Sequence, residues 1–302
     1  MLEDLGFLQS FLQRLFPVPL SHFEPLPAGW HAQCLGFRAQ EHALVFKMSR
    51  NTEALQQEAI ARQKWGPQVP VPPVYYSGQY QEWAWIVQAR CAGKSLEQSP
   101  SPGVVARLFS NLNPLHALTP PHREQALQSM AQWCEDLKAL YGFQPAELKG
   151  LSDLSRLSGE LPTEHPLHLA ALTPERWLNY QRQLWAQLAV YDQLNTDWLG
   201  WIHGDLKPAH VFYTPNGQQL TELTELTGII DWEQQRWGDP LYDVACLLWH
   251  WPDTPAFQGV VARVLTEYVQ TGLCCKGGLN VCGLAFYIRP WGLFLCCGKA
   301  GN

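Results

Sequence analysis

The sequence IHGDLKPAHV at residues 202–211 is followed by IIDWE at residues 229–233 and GDPLYD at residues 238–243. The first stretch places Asp205 next to a glycine, and a tight loop of this kind can direct a carboxylate into a cleft. Asp231 ends a short apolar run, and a strand end is a rigid position for a ligand of a hard cation. These stretches therefore predict a site built on carboxylates.

A predicted β-hairpin connects the two aspartates. The apolar runs at 211–213 and 228–232 flank the sequence PNG at 215–217, and an Asn-Gly turn is a strong hairpin signal. His210 opens the first strand and Asp231 closes the second. Because the strands of a hairpin lie side by side, we expect these two side chains to come close together.

The residue types of this region suit the transfer of a phosphoryl group. That reaction needs a carboxylate to orient the attacking hydroxyl, ligands for the metal that binds the phosphates, and cations that offset their charge. Asp205, Lys207, His210 and Asp231 offer candidates for all three tasks.

The pattern H-G-D-x-x-x-x-H, then I-D-W-E, then G-D-P-x-x-D resembles the aminoglycoside phosphotransferase family, whose relatives include choline kinases and protein kinases. The resemblance covers roughly residues 24–295. It implies an α+β, protein kinase-like fold with two lobes, a small β-rich N-lobe and a larger helical C-lobe. It also implies a small-molecule kinase that transfers the γ-phosphate of ATP or GTP, with magnesium, to a hydroxyl of a small acceptor, for which a sugar-bearing molecule is one candidate.

By this resemblance, Asp205 is the catalytic aspartate that accepts or orients the proton of the substrate hydroxyl, and Asp231 is a magnesium ligand. His210 is a metal ligand at a position where most relatives have asparagine, and macrolide phosphotransferases are similar in having histidine there. Imidazole is a softer ligand than an amide oxygen. Lys207 is predicted to act in catalysis by neutralising the transferred phosphate, as the lysine of protein kinases does.

Four further residues are interpreted as structural or as supporting the site. Asp243 resembles the aspartate that holds the catalytic loop from behind, and His203 is expected to help it. Glu233 could approach a metal, but a carboxylate that faces solvent or supports the metal ligands is the favoured interpretation. His116, at the end of a helical pattern, is read as a packing residue.

The predicted N-lobe supplies the cofactor-binding residues. Lys47 ends an apolar strand and Glu58 lies on the following helix, which resembles the Lys–Glu ion pair that positions the α- and β-phosphates. A charge at a strand end beside a cleft needs a partner. Gln88 and Arg90 fall where the family's hinge offers backbone groups to the base, so both are predicted to bind the nucleotide.

Three regions are predicted along the chain: an N-terminal helix at 1–23, the nucleotide-binding N-lobe at 24–90, and the helical C-lobe with the catalytic loop and metal site at 91–302. Within the N-lobe, a loop with Gly29 and Gly36 precedes a strand at 43–47, and a helix covers 52–65. Strands at 74–76 and 83–88 are joined by a turn near Ser77-Gly78, and a long C-lobe helix covers 173–194.

The composition argues against nucleic acids and membranes as binding partners. The formal net charge is −6, and the sequence has no run of Lys or Arg that could form the basic stripe of a nucleic-acid-binding protein. The acidic N-terminus does not resemble a secretory signal, and no stretch approaches the roughly 20 apolar residues of a membrane span. We therefore expect a cytoplasmic protein that binds neither nucleic acid nor membrane. Its nine cysteines are expected to be reduced thiols, the alternative being a redox or metal role for the cluster at 274–297.

The sequence has two alternative interpretations besides catalysis on a small molecule. A nucleotide-binding pseudokinase or regulatory module without turnover is suggested by the histidine at 210 and by the glycine-poor loop at 29–36. A protein kinase proper is disfavoured because no activation segment ending in A-P-E follows Asp231. The oligomeric state stays open.

Overall fold

The computed structural model describes residues 5–27, 32–129, 131–132, 199–215, 225–249, 259–260, 263 and 266. The chain divides into two compact units, residues 1–114 with 205–235 and residues 115–204 with 236–302. The predicted helix at 173–194, Gly29 and the cysteine cluster at 274–297 lie outside the described residues.

A five-stranded antiparallel sheet forms most of the first unit. Its strands, in the spatial order β1-β2-β3-β5-β4, are β1 (Leu20–Leu26), β2 (Ala32–Ala39), β3 (His42–Ser49), β4 (Val74–Tyr80) and β5 (Trp83–Ala89). Helix α1 (Leu5–Leu15) precedes the sheet, and helix α2 (Thr52–Trp65) connects β3 to β4.

The sheet has two buried faces with different partners. Side chains alternate between the faces of a strand, so neighbouring residues face opposite ways. Helix α1 packs through Leu8 and Leu12 on the face that carries Phe46 and Trp85. On the opposite face, Leu55 of α2 forms a second cluster with Ala84 and Ile86. Because residues 46 and 47 alternate, the side chain of Lys47 lies on the face covered by α2.

The predicted helix at 52–65 is confirmed at both ends. Asn51 caps it, with the side-chain oxygen accepting a hydrogen bond of 3.1 Å from the backbone N–H of Ala54. At the other end, the N–H of Gly66 donates to the carbonyl of Arg62 at 3.0 Å. The helix presents Leu55 and Glu58 to the interior, where both are buried.

The turn predicted at Ser77-Gly78 was wrong. Gly78 lies inside β4, and the chain reverses at Gln81 and Glu82, where Gln81 has a left-handed φ of 53°. A Cβ atom on Gly78 would lie 2.5 Å from the ring of Trp85 on the paired strand. The glycine is therefore needed for the close approach of a large cross-strand ring, not for a turn.

The loop predicted around Gly36 was also wrong, because Gly36 lies in the middle of β2. Leu35, Phe37 and Ala39 are all buried with α1, so the segment has the alternation of a strand. In addition, β1 begins at Leu20, inside the segment predicted as the N-terminal helix, because residues 20–26 pair with β2.

The predicted hairpin at the carboxylate site is confirmed. Strand β8 (Val211–Thr214) pairs antiparallel with β9 (Glu225–Ile229), and the short strand β6 (Lys94–Ser95) extends this sheet to three strands. Helix α3 (Pro102–His116) follows β6 along the chain.

The second unit adds a small sheet and a helix. Strand β7 (Gly200–Ile202) pairs antiparallel with β10 (Arg236–Gly238), and helix α4 (Pro240–Trp249) follows β10. Across the part of the chain that the structure describes, none of the helices has the length and hydropathy needed to cross a bilayer.

We expect Leu12→Ala to destabilise the protein by about 3 kcal/mol, because Leu12 is fully buried between α1 and the sheet and its loss leaves a cavity. Ser10→Ala, at an exposed position of the same helix, is the matched control and should change stability by less than about 0.5 kcal/mol. Urea unfolding followed by circular dichroism measures both. Equal stability of the two variants would contradict the docking of α1 on the sheet.

Candidate functional site

Lys47 is the centre of a buried ionic cluster. Its Nζ donates to Glu58 Oε2 at 2.6 Å and to a carboxylate oxygen of Asp231, and it lies 3.7 Å from Glu233 Oε2. The Lys47 side chain is 9% exposed and that of Glu58 4%. The predicted pair of Lys47 and Glu58 is therefore formed, and it includes Asp231 from the far end of the sequence.

Burial and charge act in opposite directions on this cluster. Burial alone would lower the pKa of Lys47, but Glu58 and Asp231 outweigh it and hold the pKa above its usual value. Burial raises the pKa of the Glu58 carboxyl, and the charge of Lys47 offsets this only in part. Within the described chain, the three carboxylates outnumber the ammonium that joins them. Such an excess of negative charge suits a divalent cation.

A short turn after β9 places Asp231. Asp231 has a left-handed backbone with φ 68° and ψ 50°, and a 3₁₀ turn at Trp232–Gln234 follows it. Trp232 is fully buried, and its Nε1 donates to the carbonyl of Ile229 at 2.7 Å. Asp231 is thus held between the strand end and a buried ring, and its strained backbone conformation is maintained by this anchor.

The same turn is fastened to α2 through Gln235. The side chain of Gln235 accepts a hydrogen bond of 2.7 Å from Trp65 Nε1 and donates one of 2.7 Å to the carbonyl of Gln57. Gln57 is the neighbour of Glu58 in the helix. These bonds therefore bring Asp231 and Glu58 to the same ammonium, although they are far apart in sequence.

The loop before β8 carries the other predicted site residues. Lys207 Nζ donates to Asp205 Oδ2 at 2.8 Å, so the two predicted catalytic residues form an ion pair, with Asp205 27% exposed and Lys207 37% exposed. His210 lies in a 3₁₀ turn at Pro208–His210. The N–H of Ile230 donates to the carbonyl of His210 at 3.0 Å, which joins this loop to the residue before Asp231.

The hydrogen bond of His210 fixes which of its ring nitrogens faces Asp231. Nδ1 lies 2.9 Å from the backbone carbonyl of Asp205, and a carbonyl can only accept, so Nδ1 carries the proton. Nε2 then lies 3.3 Å from Asp231 Oδ2. Burial lowers the pKa of His210, and the nearby charges of Asp231 and Asp205 oppose this without reversing it. Neutral His210 therefore directs a lone pair toward the carboxylate.

Two overlapping groups of side chains have the geometry of a metal site. Asp205, His210 and Asp231 form one, and Glu58, Asp231 and Glu233 form the other; the ligand atoms of each group lie within 4.8 Å of one another. Carboxylate oxygens suit magnesium, and the carbonyl-bonded histidine has the arrangement that metal-ligating histidines commonly show. The residues present therefore fit a divalent cation shared through Asp231.

The two predicted residues of the hinge lie at the end of β5, and Gln88 is one row of paired residues away from Lys47 on the same face of the sheet. Gln88 is buried on β5, and Arg90 follows the end of that strand and pairs with Glu24. The N–H of Ala89 donates to Pro73 at 2.9 Å and that of Arg90 donates to Ala43 at 3.0 Å. The backbone donors of residues 89 and 90 are thus used by the sheet. A role of Gln88 and Arg90 in binding the nucleotide stays a prediction.

Asp243 of the second unit holds the backbone that leads to Asp205. It is fully buried on α4, and it accepts hydrogen bonds from the N–H groups of His203 at 2.8 Å and Gly204 at 2.9 Å. His116 Nε2 donates to it at 3.0 Å, so the reading of His116 as packing alone was incomplete. Burial raises the pKa of Asp243, but the hydrogen bond and charge of His116 outweigh this and lower it.

The sequence did not predict the contact between Glu233 and Lys47. Its Oε2 lies 3.7 Å from the Lys47 ammonium, so Glu233 belongs to the same ionic cluster. No local sequence signal pointed to this contact, because Lys47 and Glu233 lie in distant parts of the sequence.

Comparison with known proteins places this arrangement in a family. The profile of the Phosphotransferase enzyme family (APH) matches residues 22–271, most of the chain. The chain belongs to this family. It is a phosphotransferase with an alcohol group as acceptor, as the sequence motifs predicted. No curated protein sequence matches it.

Solved structures of aminoglycoside phosphotransferases share the fold. The structure of APH(4)-Ia is 13% identical with a TM-score of 0.63, and the match covers 95% of this chain and 89% of that one. The structure of APH(3'')-Id from Streptomyces rimosus ATCC10970, in complex with ADP and streptomycin, is 19% identical with a TM-score of 0.59 and coverage of 96% and 99%. The predicted α+β, protein kinase-like fold class is thereby confirmed.

In this phosphotransferase we expect Asp243→Asn to lower the free energy of unfolding by about 3 kcal/mol. The asparagine amide N–H₂ would face one of the three groups that now donate to Asp243, and the buried negative charge would be lost. Chemical denaturation at pH 7 measures the loss. Glu82→Gln, an exposed carboxylate beside Arg50, is the matched control and should change stability little.

We expect the stability difference between wild type and Asp243→Asn to depend on pH. Since the pKa of Asp243 in the folded protein is below the usual value of 3.8, its stabilisation is fully present above that usual value and is lost as the pH falls through the folded pKa. The difference in stability between wild type and Asp243→Asn should therefore be constant above roughly pH 5 and shrink below it. A difference that grows as the solution becomes more acidic would contradict this assignment.

Proposed function

We propose that this phosphotransferase is a small-molecule kinase that transfers the γ-phosphate of ATP, or of GTP, to a hydroxyl of a small acceptor with the help of magnesium. The observation that carries the proposal is the convergence of Glu58, Asp231 and Glu233 on Lys47, beside the His210–Asp231 contact. This arrangement provides a cation for phosphates and a cluster of ligands for a divalent ion within one unit of the chain.

Each residue of the site has a proposed task. Lys47, held by Glu58, binds the α- and β-phosphates, while Asp231 and His210 would hold magnesium, which would offset the negative charge of the phosphates. Gln88 and Arg90 contribute to binding the nucleotide. Because Lys47 contacts Asp231 directly, the contact must lengthen or be shared when Asp231 becomes a metal ligand.

The loop residues act on the acceptor side of the reaction. Asp205 is 27% exposed, so it can receive the acceptor hydroxyl, orient its oxygen toward the γ-phosphorus and take its proton. Lys207 now neutralises Asp205 at 2.8 Å. If the Lys207 ammonium moves from this carboxylate to the γ-phosphate, Asp205 is free to accept a proton. The ammonium then offsets the charge of the phosphoryl group that is transferred.

We further propose that the acceptor is a neutral, sugar-bearing molecule. Solved structures with this fold contain hygromycin B in APH(4)-Ia and streptomycin in APH(3'')-Id. A polycationic aminoglycoside needs a wall of carboxylates, but residues 244–302 contain two acidic residues, Asp253 and Glu267, against the basic residues Arg263, Lys276, Arg289 and Lys299. This composition favours an acceptor without several positive charges.

We predict that Asp231→Asn weakens binding of magnesium–ATP or magnesium–GTP at least tenfold, because it removes the carboxylate shared by both metal groups. Calorimetry with each nucleotide, with and without magnesium, measures this. Asp205→Ala is the matched variant of the loop and should retain binding within about threefold while losing release of ADP or GDP. Nucleotide binding by wild type that is equal with and without magnesium would contradict the metal assignment.

The same proteins serve to test turnover on a panel of neutral glycosides, macrolides and aminoglycosides. Release of the diphosphate with a neutral acceptor by wild type, and its absence with Asp205→Ala, is the expected result. Binding without turnover on the whole panel would favour the nucleotide-binding module without catalysis. A strong signal on aminoglycosides and none on neutral acceptors would overturn the proposed acceptor class.

We also predict that His210→Asn changes the metal preference of the site. The neutral imidazole faces Asp231 through Nε2, and a nitrogen ligand favours Mn²⁺ over Mg²⁺ more than an amide oxygen does. The ratio of the Mn²⁺ to the Mg²⁺ affinity should fall about tenfold in the variant. Electron paramagnetic resonance of Mn²⁺, with Mg²⁺ as competitor and a non-hydrolysable nucleotide present, measures it. An unchanged ratio, with no nitrogen coupling to Mn²⁺ in wild type, would exclude His210 as a ligand.

A further inference from the structure

An ion pair crosses one face of the five-stranded sheet beside the Lys47 cluster. Arg90, just past the end of β5, pairs through its Nη1 with Glu24 of β1. These residues lie on opposite sides of β2 and β3 in the sheet order, so the pair spans two intervening strands. The Arg90 side chain is 41% exposed and that of Glu24 50%, so a ligand can reach both.

Strand register shows that this pair is on the same face as Lys47. Paired residues in an antiparallel sheet share a face. Cys34, Lys47 and Ile86 form one row, while Glu24, Gly36, Val45 and Gln88 form the row two residues along. The two rows are separated by about 7 Å, which is the rise of two residues in a strand.

Gly36 makes room for the ion pair. A Cβ atom at this position would lie 3.1 Å from Glu24 Cγ and 3.3 Å from Arg90 Nη1. The two side chains therefore lie directly over the backbone of β2, at the one position of that row without a side chain. The guanidinium is held over the strand by Glu24, and its location is set by the absence of a Cβ atom.

The other direction along the strands is already covered. In the row beyond Lys47, Ser49 pairs with Ala84, and both are buried, with Ala84 packed under Leu55 of α2. A nucleotide whose phosphates bind Lys47 has its ribose and base on one side of those phosphates. On this face we therefore place the base at the Gly36 row, where Arg90 and Glu24 are exposed.

Resting on the proposed function, we propose that the guanidinium of Arg90, held by Glu24 over Gly36, stacks on the purine base of the bound nucleotide. A guanidinium is planar and weakly hydrated, and it stacks well on aromatic rings. The carboxylate keeps the guanidinium in position before the nucleotide arrives. Because every purine has an aromatic face, this contact strengthens the binding of ATP and GTP alike and does not choose between them.

The test compares binding of magnesium–ATP, magnesium–GTP and magnesium–tripolyphosphate, which has no base, to wild type and variants by calorimetry. Arg90→Ala should weaken both nucleotides about fivefold, leave their affinity ratio unchanged, and leave tripolyphosphate binding unchanged. Gly36→Ala, which displaces the pair, should act in the same direction. Arg90→Lys, which keeps the charge but lacks the plane, should restore only part of the loss.

Arg50→Ala is the matched control, because Arg50 is an exposed arginine paired with Glu82 and should affect none of the three ligands. Equal nucleotide affinities of Arg90→Ala and Arg50→Ala would overturn the inference and leave the proposed function intact. A parallel loss of tripolyphosphate binding would also overturn the inference, because it indicates a structural role of Arg90. A changed ratio of ATP to GTP affinity would overturn it as well, because it indicates recognition of the base edge. Failure of wild type to bind either nucleotide would overturn the proposed function and this inference together.

Discussion

The buried ammonium of Lys47 is the constraint on which the rest of the first unit depends. A cation inside a sheet and helix interior is tolerated only where carboxylates surround it, and Glu58, Asp231 and Glu233 do so. Meeting this requirement joins β3, α2 and the turn after β9, which come from distant parts of the sequence. The carboxylates that stabilise Lys47 exceed it in number within the described chain, and this excess supports the proposed binding of a divalent cation.

Two tryptophans, Trp232 and Trp65, convert this electrostatic requirement into a defined geometry. Trp232 anchors the turn that holds Asp231 in a left-handed conformation, and Trp65 fastens the next residues to α2 through Gln235. A carboxylate on an exposed loop would lose side-chain entropy each time it met a metal or a phosphate. Here that entropy has been lost during folding, so the site is organised before a ligand binds.

The loop of Asp205 is supported in a different way. Asp243 accepts two backbone hydrogen bonds and one from His116, all in a fully buried setting, so the backbone before Asp205 has little freedom. Asp205 and Lys207 remain partly exposed. Rigid support behind the loop and accessible groups on it are what the transfer of a phosphoryl group to a free hydroxyl requires.

The sequence by itself determined the family, the fold class, the hairpin and the helix at 52–65, because these follow from short motifs, turn chemistry and local periodicity. It also predicted the Lys47–Glu58 pair. Only the tertiary structure decided that Glu233 joins Lys47, that His116 bonds Asp243, and that Gly36 and Gly78 lie in strands. The physical reason is that a glycine in a sequence signals a backbone need, but whether that need is a turn or the approach of a neighbouring side chain depends on cross-strand partners that no local window contains.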